Sequence, residues 1–299
     1  MTEPAPLLRI LAATDLRLES DEVIRQALAI AKAEPGRACR VAVCHVLPEL
    51  RVVRALFPQL HAEDALAAAE IEAFAREELH AALERLGNPE VDVFFEVGSP
   101  NVRLVERAKA WRADLVVIGA PTSSPRSSRT AEGVIRHAPI PVLVARSSGQ
   151  GPVVVGSDLS EPSLRAVLFA RDQARALGKG LVAVHAVDAS RELGWLSALR
   201  RFSATARETF TERLGAKIDE ASAQLKAVLA PVAPAAHVDV QIGEAAAVIA
   251  RRAADLDASL IVVATQGRTG LDYALVGSVA EGVIERANCS VLVVRDRAE

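Results

Sequence analysis

Gly267, Gly270, Gly277 and Ser278 bring small residues together over a short stretch that follows the apolar run Leu260 to Val263, with Arg268 among them. Glycines let the main chain turn with positive φ and approach an anion closely. Ser278 and Glu281 have capping-box spacing, so a helix is expected to start there, presenting free N–H groups and the positive end of its dipole. The chemistry these residues suit is anion binding, with phosphate the obvious ligand. They equally suit a tight loop and an ordinary cap, and spacing alone leaves both readings open. No Gly-Lys-Ser/Thr follows at P-loop spacing, and no dinucleotide fingerprint follows the first strand.

The elements that must hold this stretch are written twice. Val41-Ala42-Val43-Cys44-His45-Val46 returns as Leu181-Val182-Ala183-Val184-His185-Ala186, Ala113 to Ile118 returns as Ala258 to Val263, and Ala131 to Ile135 returns as Ala280 to Ile284. Such a repeat, near half the 299 residues, predicts a duplicated domain. Each copy alternates short apolar strands with helical stretches. In the first helix Ile24, Ala27, Leu28 and Ala31 share a face. In its counterpart Ser160 is the expected N-cap, Pro162 lies in the first turn, Val167, Ala170, Ala174 and Leu177 form the stripe, and Gly178 is the stop. Strands separated by helices require right-handed parallel crossovers, so the expected fold is α/β: two tandem doubly wound domains, each a five-stranded parallel sheet flanked by helices. The Gly/Ser/Pro-rich stretch Ser147 to Pro152 is the expected linker, giving domains 1–147 and 152–299. So short a linker favours a pseudo-twofold pairing of the two domains, with a homodimer as a further option.

Open α/β sheets bind ligands at the carboxyl ends of strands, where the strand order reverses. Asp158 follows the first strand of the second copy and Thr265 to Gly270 follows the fourth, so the two are expected to face each other. At these residues the sequence resembles the universal stress protein family, whose ATP-binding members carry Gly-x2-Gly-x9-Gly-Ser after the fourth strand. Ala264, Gly267, Gly277 and Ser278 match that spacing, with Ala264 in place of the first glycine. The resemblance runs through both copies. It implies an adenine nucleotide alpha hydrolase-like fold and ATP as the ligand, with magnesium held mainly by phosphate oxygens. It also implies that Asp158 lies by the ribose and phosphates, that Ala186 lines the adenine pocket, and that Gly267, Gly277, Ser278 and Val279 wrap the phosphates. Arg268 either adds charge to the loop or is solvated.

The first copy keeps Asp15, His45-Val46 and Gly119. It places Thr122 where Gly267 stands and Ser128-Arg129 where Gly277-Ser278 stand, in a shorter loop. No ATP is expected there, and Pro121 to Thr130 is expected to be a mobile surface loop, the alternative being a site for another anion through Arg126 and Arg129.

Composition narrows the remaining classes. Net charge is −3 and aromatics are 3%, so neither a basic field nor a stacking platform for nucleic acid is present. No apolar run approaches the ~20 residues of a membrane span, and the N-terminus does not read as a secretory signal, so a cytoplasmic protein is expected. Cys39, Cys44 and Cys289 form neither a disulfide framework nor a metal pattern, and the histidines make no ligand pairs. His45 and His185 hold equivalent positions, which suggests a structural or pocket-edge role. The segment Trp195 to Phe202 mixes apolar and basic residues and reads as domain packing, a lid or a partner surface; Val52 to Phe57 is its counterpart. Three functions are carried forward. The first is a stress-response protein with ATP as a regulatory ligand, read by a protein partner. The second is a slow ATPase or nucleotidyl-transfer enzyme, for which Asp158 is the visible acid or base. The third is a module for a lipid-like ligand.

Overall fold

Runs such as Ile10-Leu11-Ala12, Val153-Val154-Val155 and Val291-Leu292-Val293 are apolar on successive residues rather than alternate ones, which suits strands covered on both faces. The computed structural model describes residues 7–33, 37–49, 64–120, 125–188, 204–265 and 276–295. The chain divides into two compact units between Arg146 and Ser147.

In the first unit, strands β1 (Leu8–Thr14), β2 (Cys39–Leu47), β3 (Asp92–Val97), β4 (Leu115–Gly119) and β5 (Val142–Ala145) alternate with helices α1 (Asp21–Lys32), α2 (Asp64–Arg85), α3 (Pro100–Ala110) and α4 (Pro125–His137). The strands lie in the order β3-β2-β1-β4-β5 and every pairing is parallel. The second unit repeats the plan with β6 (Val153–Gly156), α5 (Glu161–Ala176), β7 (Leu181–Val187), α6 (Ala204–Leu229), β8 (His237–Ile242), α7 (Ala245–Asp255), β9 (Leu260–Ala264), α8 (Ser278–Arg286) and β10 (Ser290–Val294). Its order is β8-β7-β6-β9-β10, again parallel. Each sheet is therefore doubly wound, and its order reverses between the first and fourth strands.

Ile10, Leu11, Ile24, Val43 and Val116 are fully buried in one unit, and Val154, Val167, Leu225 and Ile261 in the other. In α1 the buried face is Val23, Ile24 and Ala27, with Leu28 and Ala31 only half-buried. On α5, Val167, Ala170 and Ala174 are buried, but Leu177 is exposed because the helix ends before it. The stop at Gly178 is a Schellman closure: Lys179 N–H donates to the Ala174 carbonyl at 2.8 Å and Gly178, at φ +64, donates to Arg175 at 3.2 Å.

The repeated Ala-Glu-Gly-Val-Ile has a packing cause. A Cβ on Gly282 of α8 would stand 2.7 Å from the Cβ of Ala246 at the start of α7, and one on Gly133 of α4 would stand 2.7 Å from the Cβ of Asn101 on α3. Only glycine lets the two helices meet this closely. In both copies a side chain four residues later also folds back to the glycine carbonyl, Arg286 at 2.9 Å and His137 at 2.8 Å.

One arginine per copy ties the third strand to the helix after it. Arg107 donates to Glu96 at 2.6 Å and stacks 4.4 Å over Phe94, whereas Arg252 donates to Asp239, at the position of Phe94, at 2.6 Å. Burial pushes the Asp239 carboxyl up. Hydrogen bonds from Gln241 and Arg252 and the charge of Arg252 outweigh that and hold it below the usual carboxylate range. A depressed folded pKa stabilises the fold above the unfolded value of about 3.9, and the contribution is lost as pH falls through the folded pKa. Asp239→Asn is expected to lower stability at pH 7 by about 1–2 kcal/mol. In urea titrations the gap to wild type should narrow below about pH 4, and a gap that widens there would contradict the sign.

Candidate functional site

The reversal in the second unit falls between β6 and β9, which pair with Val155 opposite Val262. Asp158 and Thr265 therefore leave the sheet at the same level of its carboxyl edge. β7 lies on the far side of β6, with Gly156 opposite Val184, so His185 and Ala186 reach that edge as well. Ala186 is half-buried, as is Ala264, the last residue of β9.

A hydroxyl and carboxylate network shapes the turn at Asp158. Its Oδ1 accepts from the Ser160 N–H at 3.0 Å and from the Ser160 hydroxyl, while Ser160 caps α5 by accepting from the Ser163 N–H. Leu159 N–H donates to Ser157 Oγ at 3.3 Å, and Ser157 Oγ lies 3.2 Å from Ser163 Oγ. Behind the turn, His185 Nδ1 lies 2.7 Å from the Ser157 carbonyl, so this nitrogen carries the proton and donates. His45 makes the same bond to Thr14 at 2.9 Å. Burial, the leading influence on His45, lowers its pKa and favours the neutral ring. Both copies thus use the strand histidine to fix the carbonyl just before the strand-end aspartate, a long-range role that the repeated histidine hinted at but did not specify.

Both copies also hold a leucine in the left-handed region directly after that aspartate, Leu16 at φ 64 and Leu159 at φ 67. A side chain there costs about 1–2 kcal/mol. Leu159→Gly is expected to raise stability by about 0.5–1 kcal/mol, since glycine's greater unfolded-state entropy offsets part of the relief. A lower urea midpoint for this variant would show that Leu159 is not strained.

Across the crevice, the Gly277 N–H donates to the Thr265 carbonyl at 2.8 Å, closing the loop between them, and Thr265 N–H donates to Val294 of β10 at 3.0 Å. A Cβ on Gly277 would stand 2.9 Å from that same Thr265 oxygen. Glycine is demanded here by close approach and not by a positive φ, because Gly277 is extended at φ −65, ψ 146. The expected capping box does not form. Gly277 itself is the N-cap, Ser278 is the first helical residue, and among the described residues no side chain caps α8. The bond to Thr265 fixes the cap one residue earlier than the serine suggests. By contrast α5 is capped by Ser160, and α7 by Glu244, whose carboxylate accepts from Ala246 and Ala247. Among the described residues no side chain caps the N–H groups of the first turn of α8, and Ser278 and Val279 are exposed.

The structure thus brings Asp158, Ala186, Ala264, Gly277, Ser278 and Val279 to one edge. Gly267, Arg268 and Gly270 lie outside the described residues, as do Trp195 to Phe202 and Val52 to Phe57. Among the described residues no group of three or more His, Cys, Asp or Glu is placed to hold a metal ion, and no helix is long and apolar enough to cross a membrane.

The first unit departs at both walls of its crevice. Asp15 keeps the turn bond seen at Asp158, accepting from the Arg17 N–H at 3.2 Å, and differs in having the Arg17 guanidinium 3.5 Å away. Helix α4 starts at Pro125 and runs 13 residues, against 9 for α8. Pro125 to Thr130 is therefore helical and not the expected surface loop, and Ser128 and Arg129 sit inside the helix instead of at its cap. Proline at a first helical position is pre-set for the turn and has no N–H to lose.

Two copies of a five-stranded parallel α/β unit, each doubly wound with its strand order reversing between the first and fourth strands, define a tandem α/β protein. The universal stress protein family model matches residues 7–146 and again 151–295, and the chain belongs to that family. A universal stress protein of Mycobacterium tuberculosis is 31% identical over 229 residues, covering 71% of each chain. One of Methanocaldococcus jannaschii is 34% identical over 143 residues, 48% of this chain and 81% of that one. Among solved structures, a universal stress protein of Archaeoglobus fulgidus superposes with a TM-score of 0.66 at 18% identity over 96% of both chains. A functionally unknown protein of Pseudomonas aeruginosa gives 0.60 at 19% identity over 97% of this chain and 92% of that one.

Proposed function

We propose that the second unit binds ATP at the carboxyl edge of β7, β6 and β9, and that the chain is a cytoplasmic stress-response protein for which the nucleotide is a regulatory ligand. The observation that carries this reading is Gly277: the chain closes on the Thr265 carbonyl, 2.9 Å from where a Cβ would stand, through a residue without a side chain, and among the described residues no side chain caps the start of α8. Main-chain N–H groups at a helix start suit a polyphosphate. The amides of Ser278 and Val279 would hold phosphate, completed by Gly267 and Arg268. Asp158 would hold the ribose side and Ala186 the base, with Ala264 at the first-glycine position. Magnesium would sit on phosphate oxygens. Binding is favoured over hydrolysis because Asp158 Oδ1 is already committed to two hydrogen bonds with Ser160 and makes a poor base.

In the first unit the extra turn of α4 occupies the place of the cap, so one nucleotide per chain is expected. Calorimetric titration of the full chain with ATP and magnesium tests this. Saturation at one equivalent is the expected result; no heat at millimolar ATP, or two equivalents, would overturn it.

A further inference from the structure

The segment Ser147 to Pro152 has the composition of a slack linker, yet from Gly149 to Pro152 its backbone is hydrogen-bonded. Gly149 N–H donates to the Ala258 carbonyl at 3.2 Å and Gly151 N–H to the Asp257 carbonyl at 2.7 Å. Gln150 N–H donates to the Asp257 carboxylate at 2.8 Å, and Lys179 Nζ reaches the Gly149 carbonyl at 3.2 Å. The Ser259 N–H returns a bond to the Pro152 carbonyl at 3.0 Å. The two glycines are there for proximity. A Cβ on Gly149 would fall 2.1 Å from the Asp257 oxygen, and one on Gly151 would fall 2.0 Å from the Leu256 oxygen. Asp257, at φ 48, adopts the left-handed turn that aims both its carbonyl and its carboxylate at the segment.

We infer that Ser147 to Pro152 is a fixed strap belonging to the second unit, wrapped on the turn between α7 and β9, and that it clamps the start of β9. The second unit then begins at Ser147, and not at Pro152 as composition alone suggests. β9 is only five residues long. The strap holds its first end, and the other end carries Thr265, whose carbonyl receives Gly277. The strand bearing the candidate site is therefore tied at both ends by main-chain bonds.

Limited proteolysis of the full chain by subtilisin, with the first cuts mapped by mass spectrometry, tests the strap without any nucleotide. In wild type the segment is expected to survive while other sites are cut; immediate cleavage within 147–152 would overturn the inference. Gly149→Ala/Gly151→Ala should be cut there at least about tenfold faster, with Asp257→Ala in between. An unchanged rate in a double variant that keeps its circular dichroism spectrum would also overturn it. Should the double variant not fold, wild-type amide exchange decides. Protection of Gln150 and Gly151 by about a hundredfold supports the strap, and exchange at the free-chain rate sinks it.

Discussion

Gly277→Val is expected to reduce ATP affinity at least about fiftyfold, a loss of more than about 2 kcal/mol. The reason is geometric. Valine puts a branched carbon where the Thr265 carbonyl already stands 2.9 Å from even a bare Cβ position, so either the 2.8 Å bond from Gly277 to Thr265 breaks or the start of α8 swings away. Either movement takes the amides of Ser278 and Val279 out of line with the phosphates. Because α8 remains packed on α7 through Gly282, the variant should keep its circular dichroism spectrum and most of its thermal midpoint. Wild-type affinity in a folded Gly277→Val protein would remove the cradle from the argument. Gly277→Ala, carrying the smallest possible intrusion, should fall between the two.

Gly282→Leu is expected to lower stability by about 3 kcal/mol, seen as a thermal midpoint about 10 °C lower. Its Cβ would meet the Ala246 methyl at 2.7 Å and the Arg286 guanidinium at the same distance, and only the guanidinium can move aside. Helix propensity acts in the opposite direction, since leucine outranks glycine by about 0.8 kcal/mol. Gly215 on α6 isolates that term: nothing lies within 4 Å of its would-be Cβ, and Gly215→Ala should stabilise by about 0.5–1 kcal/mol. Opposite signs at the two glycines are the expected differential scanning result. A stabilised Gly282→Leu would mean that α7 and α8 separate at little cost.

The fold was legible because its signals are local. Apolar runs between helical stretches, doubled along the chain, leave parallel crossovers as the solution, and the right-handed rule sets their hand, while the strand order itself is seen only in the structure. Parts of the site were legible for the same reason: Asp158 follows an apolar strand, and α8 begins within one residue of the expected place. What stayed hidden depends on residues distant in sequence. Ser278 reads as a cap until the Thr265 carbonyl is seen to draw Gly277 into that position. His185 reads as a core or pocket-edge histidine until its bond to Ser157, just past the end of the neighbouring strand, is seen. Pro125 was a visible helix-start signal, but the serines and arginines after it read as a loop. Gly149 and Gly151 illustrate the general ambiguity, since glycine marks slack chain and tightly apposed chain with the same letter.

The added turn at the front of α4 has a consequence for signalling. On the proposed reading of one nucleotide site per chain, occupancy of that site is expected to follow a simple saturation curve, spread over about two decades of ligand concentration.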